Sequence, residues 1–365
     1  MADIGTRKSE HLDIVLAGGV QAAAGIAGFD RVRFEHVAAP ELDLDDIDLS
    51  TMFLLRRLKA PFLISSMTGG PQRAGAINSA LAEAAGHLGI ALAVGSQRIA
   101  LEGGPNSGFT RDLRARAGNV PLLANLGAAQ IRGADGLSLA RAAVDMIEAD
   151  ALIIHLNPLQ EAVQAGGDRD WRGVLAAIEA IVRALPVPVV VKEVGCGISG
   201  DLAMKLVACG VSIIDVAGAG GTSWAAVEAE RAVNQRDRAI ASAFRDWGVP
   251  TVDALVAVRA SCPQATVVAS GGLKSGIDAA KAIRLGADLA GFAAGILPSA
   301  LEGSDALIDR FEALIEELRI ACFCTASHDL ASLRSARLIG TGPPAVQDPC
   351  GGPNAARKPT MRTTA

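Results

Sequence analysis

Eight short apolar runs recur along this chain, and each is continuous rather than alternating: 60–67, 90–97, 121–127, 151–157, 188–194, 212–219, 266–272 and 289–296. A strand buried on both faces reads that way, and such strands belong to parallel sheets covered by helices on the outside. Between the runs lie alanine-rich stretches with helical spacing, at 74–88, 137–148, 171–184, 202–209, 252–260 and 277–285. Several stop at a glycine (Gly89, Gly210, Gly286), the residue that helix C-termini favour. Most repeats match the ~30 residues of one strand–helix unit. Eight such units predict an α/β fold, a (β/α)8 TIM barrel over residues 60–340, with a doubly wound open sheet as the alternative. Residues 1–59 precede the first strand and read as an extension wrapping the barrel, and 341–365, rich in Pro, Gly and Ala, as a disordered tail. The gap between the sixth and seventh strands is longer, about 45 residues, and its polar run 228–238 reads as a loop or lid.

Composition narrows the function classes. Half the residues are hydrophobic but only 3% are aromatic, with no tyrosine and 40 glycines. The core is therefore close-packed Ala, Val, Leu and Ile, and disorder is excluded as the main state. Lys and Arg total 34 against 39 acidic residues, a net charge of −5. That argues against nucleic acid as a partner, which needs a basic face. Residues 1–8 carry charges and no apolar signal core, and the apolar-looking run 289–301 is broken by Gly291, Gly295 and Pro298. It is also shorter than the ~20 residues that span a bilayer. The expectation is a cytoplasmic protein without a membrane partner. The six cysteines fit no paired metal-ligand spacing and read as free thiols in a reducing compartment.

Active groups of a barrel sit at the C-terminal ends of its strands, and here those ends are polar. They carry Ser65-Ser66-Met67-Thr68-Gly69-Gly70, Ser96-Gln97-Arg98, Asn125, His155-Leu156-Asn157-Pro158-Leu159-Gln160-Glu161, Lys192-Glu193, Asp215 with Gly220-Gly221-Thr222-Ser223-Trp224, Gly271-Gly272-Leu273 and Ala294-Gly295. Polar groups at one end of so many strands form a ring around one pocket. The glycines after strands seven and eight can offer backbone N–H groups to a phosphate. Lys192 near the end of a buried strand needs an anion or a partner. Glu193 points the other way, since neighbours in a strand face opposite sides. His155 reads equally as a satisfied core histidine or as a catalytic one. Few obvious acid–base candidates stand at the ring beyond His155 and Glu193. Glu161 is either a charge at a helix N-terminus or a ligand for Mg²⁺. Arg7-Lys8 and His11 are either a solvated charge run or a diphosphate clamp that Arg98 completes. One decoy is present. Gly195-Cys196-Gly197-Ile198-Ser199-Gly200 has the glycine spacing of a dinucleotide loop, but falls on the fifth unit, after a strand carrying two charges.

Together these segments, from Arg7-Lys8 and His11 through Ser66-Met67-Thr68-Gly69-Gly70, Val94-Gly95-Ser96-Gln97-Arg98, His155-Leu156-Asn157-Pro158-Leu159-Gln160-Glu161 and Lys192-Glu193-Val194-Gly195 to Gly220-Gly221-Thr222-Ser223-Trp224 and Ser270-Gly271-Gly272, occur in one order. Over about residues 7–338 the chain resembles the type 2, flavin-dependent isopentenyl-diphosphate delta-isomerases of isoprenoid synthesis. The resemblance implies a TIM barrel that binds FMN, uses Mg²⁺, takes electrons from NADPH and assembles as a homotetramer or homo-octamer. Its substrates would be isopentenyl diphosphate and dimethylallyl diphosphate. By position, FMN would touch Ser66, Met67, Thr68, Ser96, Asn125, Lys192, Thr222, Gly271, Gly272, Leu273, Ala294 and Gly295. The diphosphate would meet Arg7, Lys8 and Arg98, with His11, Ser96 and Gln97 close by. Gln160, with His155 and Asn157, would carry the catalytic surface, and Glu161 would hold Mg²⁺. One departure stands at Ala217, where the family commonly has a serine that bonds the flavin. Two rivals share parts of this reading: an FMN-dependent 2-hydroxy-acid oxidase, and a flavin- or isoprenoid-binding protein without turnover. The oxidase would need an arginine–histidine pair late in the chain, but strand seven ends in Gly271-Gly272-Leu273.

Overall fold

The computed structural model describes residues 4–67, 73–106 and 108–340. Thr68 and the stretch 341–365 therefore lie outside the described residues. Each of the eight apolar runs contains one strand: β1 (Phe62–Ile64), β2 (Ala91–Ala93), β3 (Leu122–Gly127), β4 (Ala151–Leu156), β5 (Val189–Glu193), β6 (Ile213–Asp215), β7 (Thr266–Ala269) and β8 (Leu289–Phe292). They pair in parallel in sequence order, and β8 closes on β1. The sheet is thus a closed barrel and not the open alternative. The runs look continuous because both strand faces are buried. One face (Leu63, Ala93, Leu123, Ile153, Val190, Ile213, Val268, Leu289) fills the barrel interior. The other (Phe62, Ile64, Leu92, Ala124, Leu152, Val191) packs under the helices. Several strands are shorter than their runs, because the polar and glycine residues after them leave the ladder to build the rim.

The N-terminal extension runs from one end of the barrel to the other. Helix Ile4–Ala17 leads to Gln21, which bridges Thr222 at the C-terminal rim. The chain then passes Leu338 and Asp329 and ends in a hairpin, Thr51–Phe53 with Arg56–Leu58. Phe53 and Leu58 join the interior cluster and close the barrel floor. The polar run between strands six and seven is not a loop. Helices Trp224–Arg231 and Gln235–Ser242 occupy it, each opened by a side-chain cap, Ser223 and Asn234.

One polar staple occurs twice at the N-terminal end, four strands apart. Asp150, before β4, accepts from the Leu122 amide at 2.9 Å and from Arg114 Nη2 at 2.6 Å. Asp288, before β8, accepts from the Val267 amide at 2.8 Å and from Arg259 Nη2 at 2.6 Å. Each arginine also donates to backbone carbonyls four and six residues ahead of it: Gly118 and Val120 for Arg114, Pro263 and Ala265 for Arg259. A second arginine, Arg56 or Arg334, bonds the other carboxylate oxygen. Asp150→Ala or Asp288→Ala leaves a strand amide and two guanidinium groups without their acceptor. Each is expected to cost about 2–4 kcal/mol of unfolding free energy, read from urea denaturation, with little change at the opposite end of the barrel.

Candidate functional site

The site follows from the period of two along the strands. Two residues beyond each member of the apolar interior layer stand Ser65, Gly95, Asn125, His155, Lys192, Asp215, Ser270 and Gly291. The ladders hold Gly127, His155, Lys192 and Asp215 level with one another. This layer forms the floor of a cavity of about 540 Å³, lined by all its members but Asp215. The volume is that of a cofactor or small-molecule pocket.

One side of the cavity is built from glycine backbone. Gly271 and Gly272 have φ of +101° and +79°, and a Cβ on them would stand 2.2 Å from the Gly218 oxygen and 2.4 Å from the Gly220 oxygen. Thr251 Oγ1 pins this turn by donating to the Gly271 carbonyl at 2.5 Å. Gly295 faces open space. Around the same cavity Ser65 Oγ, Ser66 Oγ and Thr222 Oγ1 are buried without a hydrogen-bond partner. Such a group costs about 1–3 kcal/mol, so hydroxyls gathered around one cavity call for a polar ligand. This set fits FMN: hydroxyls and glycine amides suit a phosphate, Met67 and Leu273 offer apolar contact, and Asn125 and Lys192 offer donors. The Ala217 side chain supplies no donor, and the residue sits in the left-handed region at φ +37°.

Another part of the lining is cationic. Arg7 and Lys8 reach the cavity from the N-terminal helix, with Arg98 beside them. Lys8 Nζ donates to the Ser96 carbonyl at 3.0 Å. Burial, then the charges of Arg7 and Arg98, lowers its pKa to about 8. Arg98 Nε is 2.8 Å from Glu102. His11 Nε2 is 2.9 Å from Glu228 Oε1 and meets the Trp224 ring edge-on at 5.2 Å. Gln160 Nε2 donates to the same Glu228 oxygen at 3.4 Å, and Arg231 holds the other at 2.6 Å. Burial raises the Glu228 pKa, but the hydrogen bonds and charges of His11 and Arg231 outweigh it and hold the carboxyl below its ordinary range. Sequence reasoning places Glu228 in a loop or lid beside the site. The missed signal is its place one helical turn after Trp224, on the face that also carries Val227.

Glu161 is buried among donors. Asn157 Nδ2 bonds Oε1 at 3.0 Å, while Gln164 Nε2 and the Asp168 amide bond Oε2 at 3.2 and 2.7 Å. Asn157 also donates to Gln160 Oε1 at 3.1 Å. Among the described residues no cluster of three His, Cys, Asp or Glu side chains stands ready for a metal. Glu161 fits Mg²⁺ as a single carboxylate ligand, the mode in which that ion takes the rest of its shell from phosphates and water.

Several expectations need correction. Gln97 does not line the cavity: it is buried, donates to the Ala143 carbonyl at 2.9 Å and accepts from the Asn125 amide at 2.9 Å. Glu193 is no acid or base for the pocket. Its Oε2 accepts from the amides of Val194 at 2.6 Å, Gly195 at 2.7 Å and Cys196, and burial raises its pKa to about 7 against those donors. Those amides would hold pyrophosphate in a dinucleotide loop, so the decoy motif is already filled by its own carboxylate. His155 Nδ1 lies 2.7 Å from Asn125 Oδ1, whose amide nitrogen donates to Val94. Nδ1 therefore carries the hydrogen and Nε2 keeps a lone pair. Burial first, then Lys192, Lys8 and Arg98, lowers its pKa to about 3. Neutral His155 can accept a hydrogen bond but is no proton donor near pH 7. All other candidate site residues that are described line the one cavity.

Comparison with known proteins agrees with this geometry. A model of FMN-dependent dehydrogenases matches residues 155–339. A protein of Stutzerimonas stutzeri called isopentenyl-diphosphate delta-isomerase is 62% identical over 334 residues, covering 92% of this chain and 96% of its own. One of the same name from Xanthobacter autotrophicus is 62% identical, covering 90% and 96%. Another from Vibrio parahaemolyticus is 51% identical, covering 93% and 100%. Among solved structures, a putative lactate oxidase of Pediococcus acidilactici superposes with a TM-score of 0.66 at 16% identity, covering 93% and 95%. A mandelate oxidase with (S)-2-phenylpropionate gives 0.62 at 20%, covering 92% and 96%. At those identities the likeness shows a shared barrel alone.

Proposed function

The chain belongs to the FMN-dependent isopentenyl-diphosphate delta-isomerase family, and on that premise we propose how its own residues carry the reaction. The enzyme interconverts isopentenyl and dimethylallyl diphosphate, a move of one C=C bond with no net redox change. The observation that carries the assignment of roles is that one cavity is lined by a glycine-and-hydroxyl set, a basic set and a set of neutral amides.

The reaction adds a proton to a weakly basic alkene and removes one from the neighbouring carbon, by way of a tertiary cation. Bound reduced FMN supplies the proton transfer and an electron-rich face beside the cation. Ser66, Met67, Thr68, Ser96, Asn125, Lys192, Thr222, Leu273, Ala294 and the glycines 271, 272 and 295 would hold that group. Neutral His155, Asn157 and Gln160 line the isoprene end and add no positive charge to repel the cation. Arg7, Lys8, Arg98 and His11 would bind the diphosphate, with Glu161 holding Mg²⁺ beside it. Arg7 and Lys8 close over the substrate and exclude water, which would quench the cation. NADPH as reductant, a cytoplasmic location and a homotetramer or homo-octamer complete the reading. The family resemblance supports all three, and the free cysteines among the described residues also suit a reducing compartment. No helix among the described residues is long and apolar enough to cross a membrane. Against the oxidase alternative, Gly271-Gly272-Leu273 leaves no histidine at the end of β7.

The test is an anaerobic assay of isopentenyl diphosphate with FMN, Mg²⁺ and NADPH in D₂O, read by NMR. Deuterium should enter dimethylallyl diphosphate only when the flavin is reduced. A loaded, folded enzyme that gives no conversion, yet oxidises a 2-hydroxy acid, would reverse the reading. Lys8→Ala should raise KM for the diphosphate about tenfold or more with a smaller effect on kcat. The wild-type pH dependence has a definite sign. Lys8 is a cation below its pKa of about 8. Diphosphate affinity should therefore hold steady below pH 8 and weaken above it, and Lys8→Ala should remove that step. An unchanged KM would remove Lys8 from the clamp.

A further inference from the structure

Asp215 is the one member of the polar floor that does not reach the cavity, and the mechanism above gives it no task. It is 1% exposed. Ser270 Oγ donates to its Oδ1 at 2.5 Å and the Ala217 amide does so at 3.3 Å. Its Oδ2 is buried without a partner. A proton on Oδ2 would be a buried donor with no acceptor, whereas both existing bonds ask for an acceptor at Oδ1. The geometry therefore favours the carboxylate.

The balancing charge is one strand away. Lys192 pairs in register with Asp215, and His155 pairs with Lys192 on the other side. Lys192 lines the cavity and Asp215 lies just behind that lining; burial raises the Asp215 pKa, and the nearby Lys192 cation is the largest influence opposing it, ahead of the Ser270 and Ala217 hydrogen bonds. His155 is neutral and Ser65 and Ser270 are uncharged. Glu193 turns its carboxyl away into its own loop. The net charge of the floor thus reduces to Lys192 and Asp215: zero with both ionised, +1 without Asp215.

We propose that Asp215 is a positioning residue that offsets the charge of Lys192 from behind the floor, and so sets how much more tightly this cavity holds reduced flavin than oxidised flavin. The proposal rests on the FMN reading. Fully reduced flavin carries more negative charge near neutral pH than the oxidised form. An uncompensated Lys192 would favour it more strongly, because charges in such a cavity are weakly screened. The carboxylate keeps that preference moderate. Its bonds to Ser270 and Ala217 also tie the turn after β6 to the turn after β7, where the glycine side begins.

Asp215→Asn tests this on the whole, FMN-loaded chain. Two quantities are measured at pH 7: the midpoint potential of the bound flavin, by anaerobic spectroscopic titration against a reference dye, and the Kd of oxidised FMN, by fluorescence. The midpoint should move to more positive potential. A tenfold rise in the affinity ratio of reduced to oxidised flavin corresponds to 29.6 mV for a two-electron couple. In a Lys192→Met background burial is no longer opposed by that cation and Asp215 takes up a proton, so the same substitution, now neutral for neutral, should no longer produce that shift. A residue that merely supports the fold would weaken both redox forms alike and leave the potential unmoved. That result, or a shift to more negative potential, overturns the proposal. Asp215→Ser, smaller and also neutral, carries the same expectation if the asparagine variant does not fold. A wild-type chain that takes up no FMN overturns the flavin reading itself, whereas a loaded chain whose potential ignores Asp215 overturns the counter-charge alone.

Discussion

Gly271→Ala is expected to weaken FMN binding by about 100-fold or more, close to 2.8 kcal/mol. Two independent effects point the same way. At φ +101° the backbone lies where an L-residue is strained by about 1–2 kcal/mol. A Cβ there would also stand 2.2 Å from the oxygen and 2.7 Å from the nitrogen of Gly218 and 2.9 Å from Thr251 Oγ1. Two of those neighbours are backbone atoms, so the new methyl cannot be relieved by a rotamer change. The turn after β6 or the turn after β7 must move, and both line the cavity. Gly295→Ala is the matched control. Nothing lies within 4 Å of its Cβ position, so the free chain should accept it with its unfolding midpoint unchanged. FMN affinity lost there would report a contact with the ligand itself. Fluorescence titration of both variants, with thermal unfolding of each free chain, separates the cases. If Gly271→Ala binds FMN as wild type does, the glycine side is not the flavin seat.

The contrast between those two glycines shows which parts of this molecule are legible in its sequence. The strands are, because burial on both faces leaves an unbroken apolar run, and closure follows from eight such runs spaced by helices. The rim is legible too, because polar residues after an apolar run can only gather where parallel strands end together. What a side chain does once there is less so. Gln97 sits between Ser96 and Arg98, both of which line the cavity, yet it points into the helical layer, and only the local turn decides that. Glu193 looks like a buried acid until the three amides after it are seen to surround its carboxylate. Glu228 looks like part of a polar lid because its neighbours are charged. Its burial depends on His11, which lies 217 residues away in the chain. Local pattern predicts elements and their ends, while a polar group's partners are set by tertiary placement.

The same dependence on partners makes Glu161→Gln damaging although it leaves the side-chain volume almost untouched. Its expected effect is a fall in kcat of about a thousandfold or more, near 4 kcal/mol. All three donors around the side chain demand acceptors: Asn157 Nδ2 at one oxygen, Gln164 Nε2 and the Asp168 amide at the other. A glutamine offers one acceptor and one donor. Its carbonyl belongs where two donors converge, which turns its NH₂ against Asn157 Nδ2. Asn157 is also the group that anchors Gln160 Oε1. The substitution thus disturbs the isoprene-facing amide through a donor–donor clash, and at the same time removes the negative charge offered to Mg²⁺. FMN affinity should stay within about twofold, because these contacts do not reach the glycine side. Glu161→Asp keeps the charge and should recover part of the turnover at raised Mg²⁺, while the glutamine variant should not respond to added metal. The Mg²⁺ dependence of kcat in the three proteins decides the matter. Full turnover in Glu161→Gln with an unaltered metal requirement would place the Mg²⁺ on other groups.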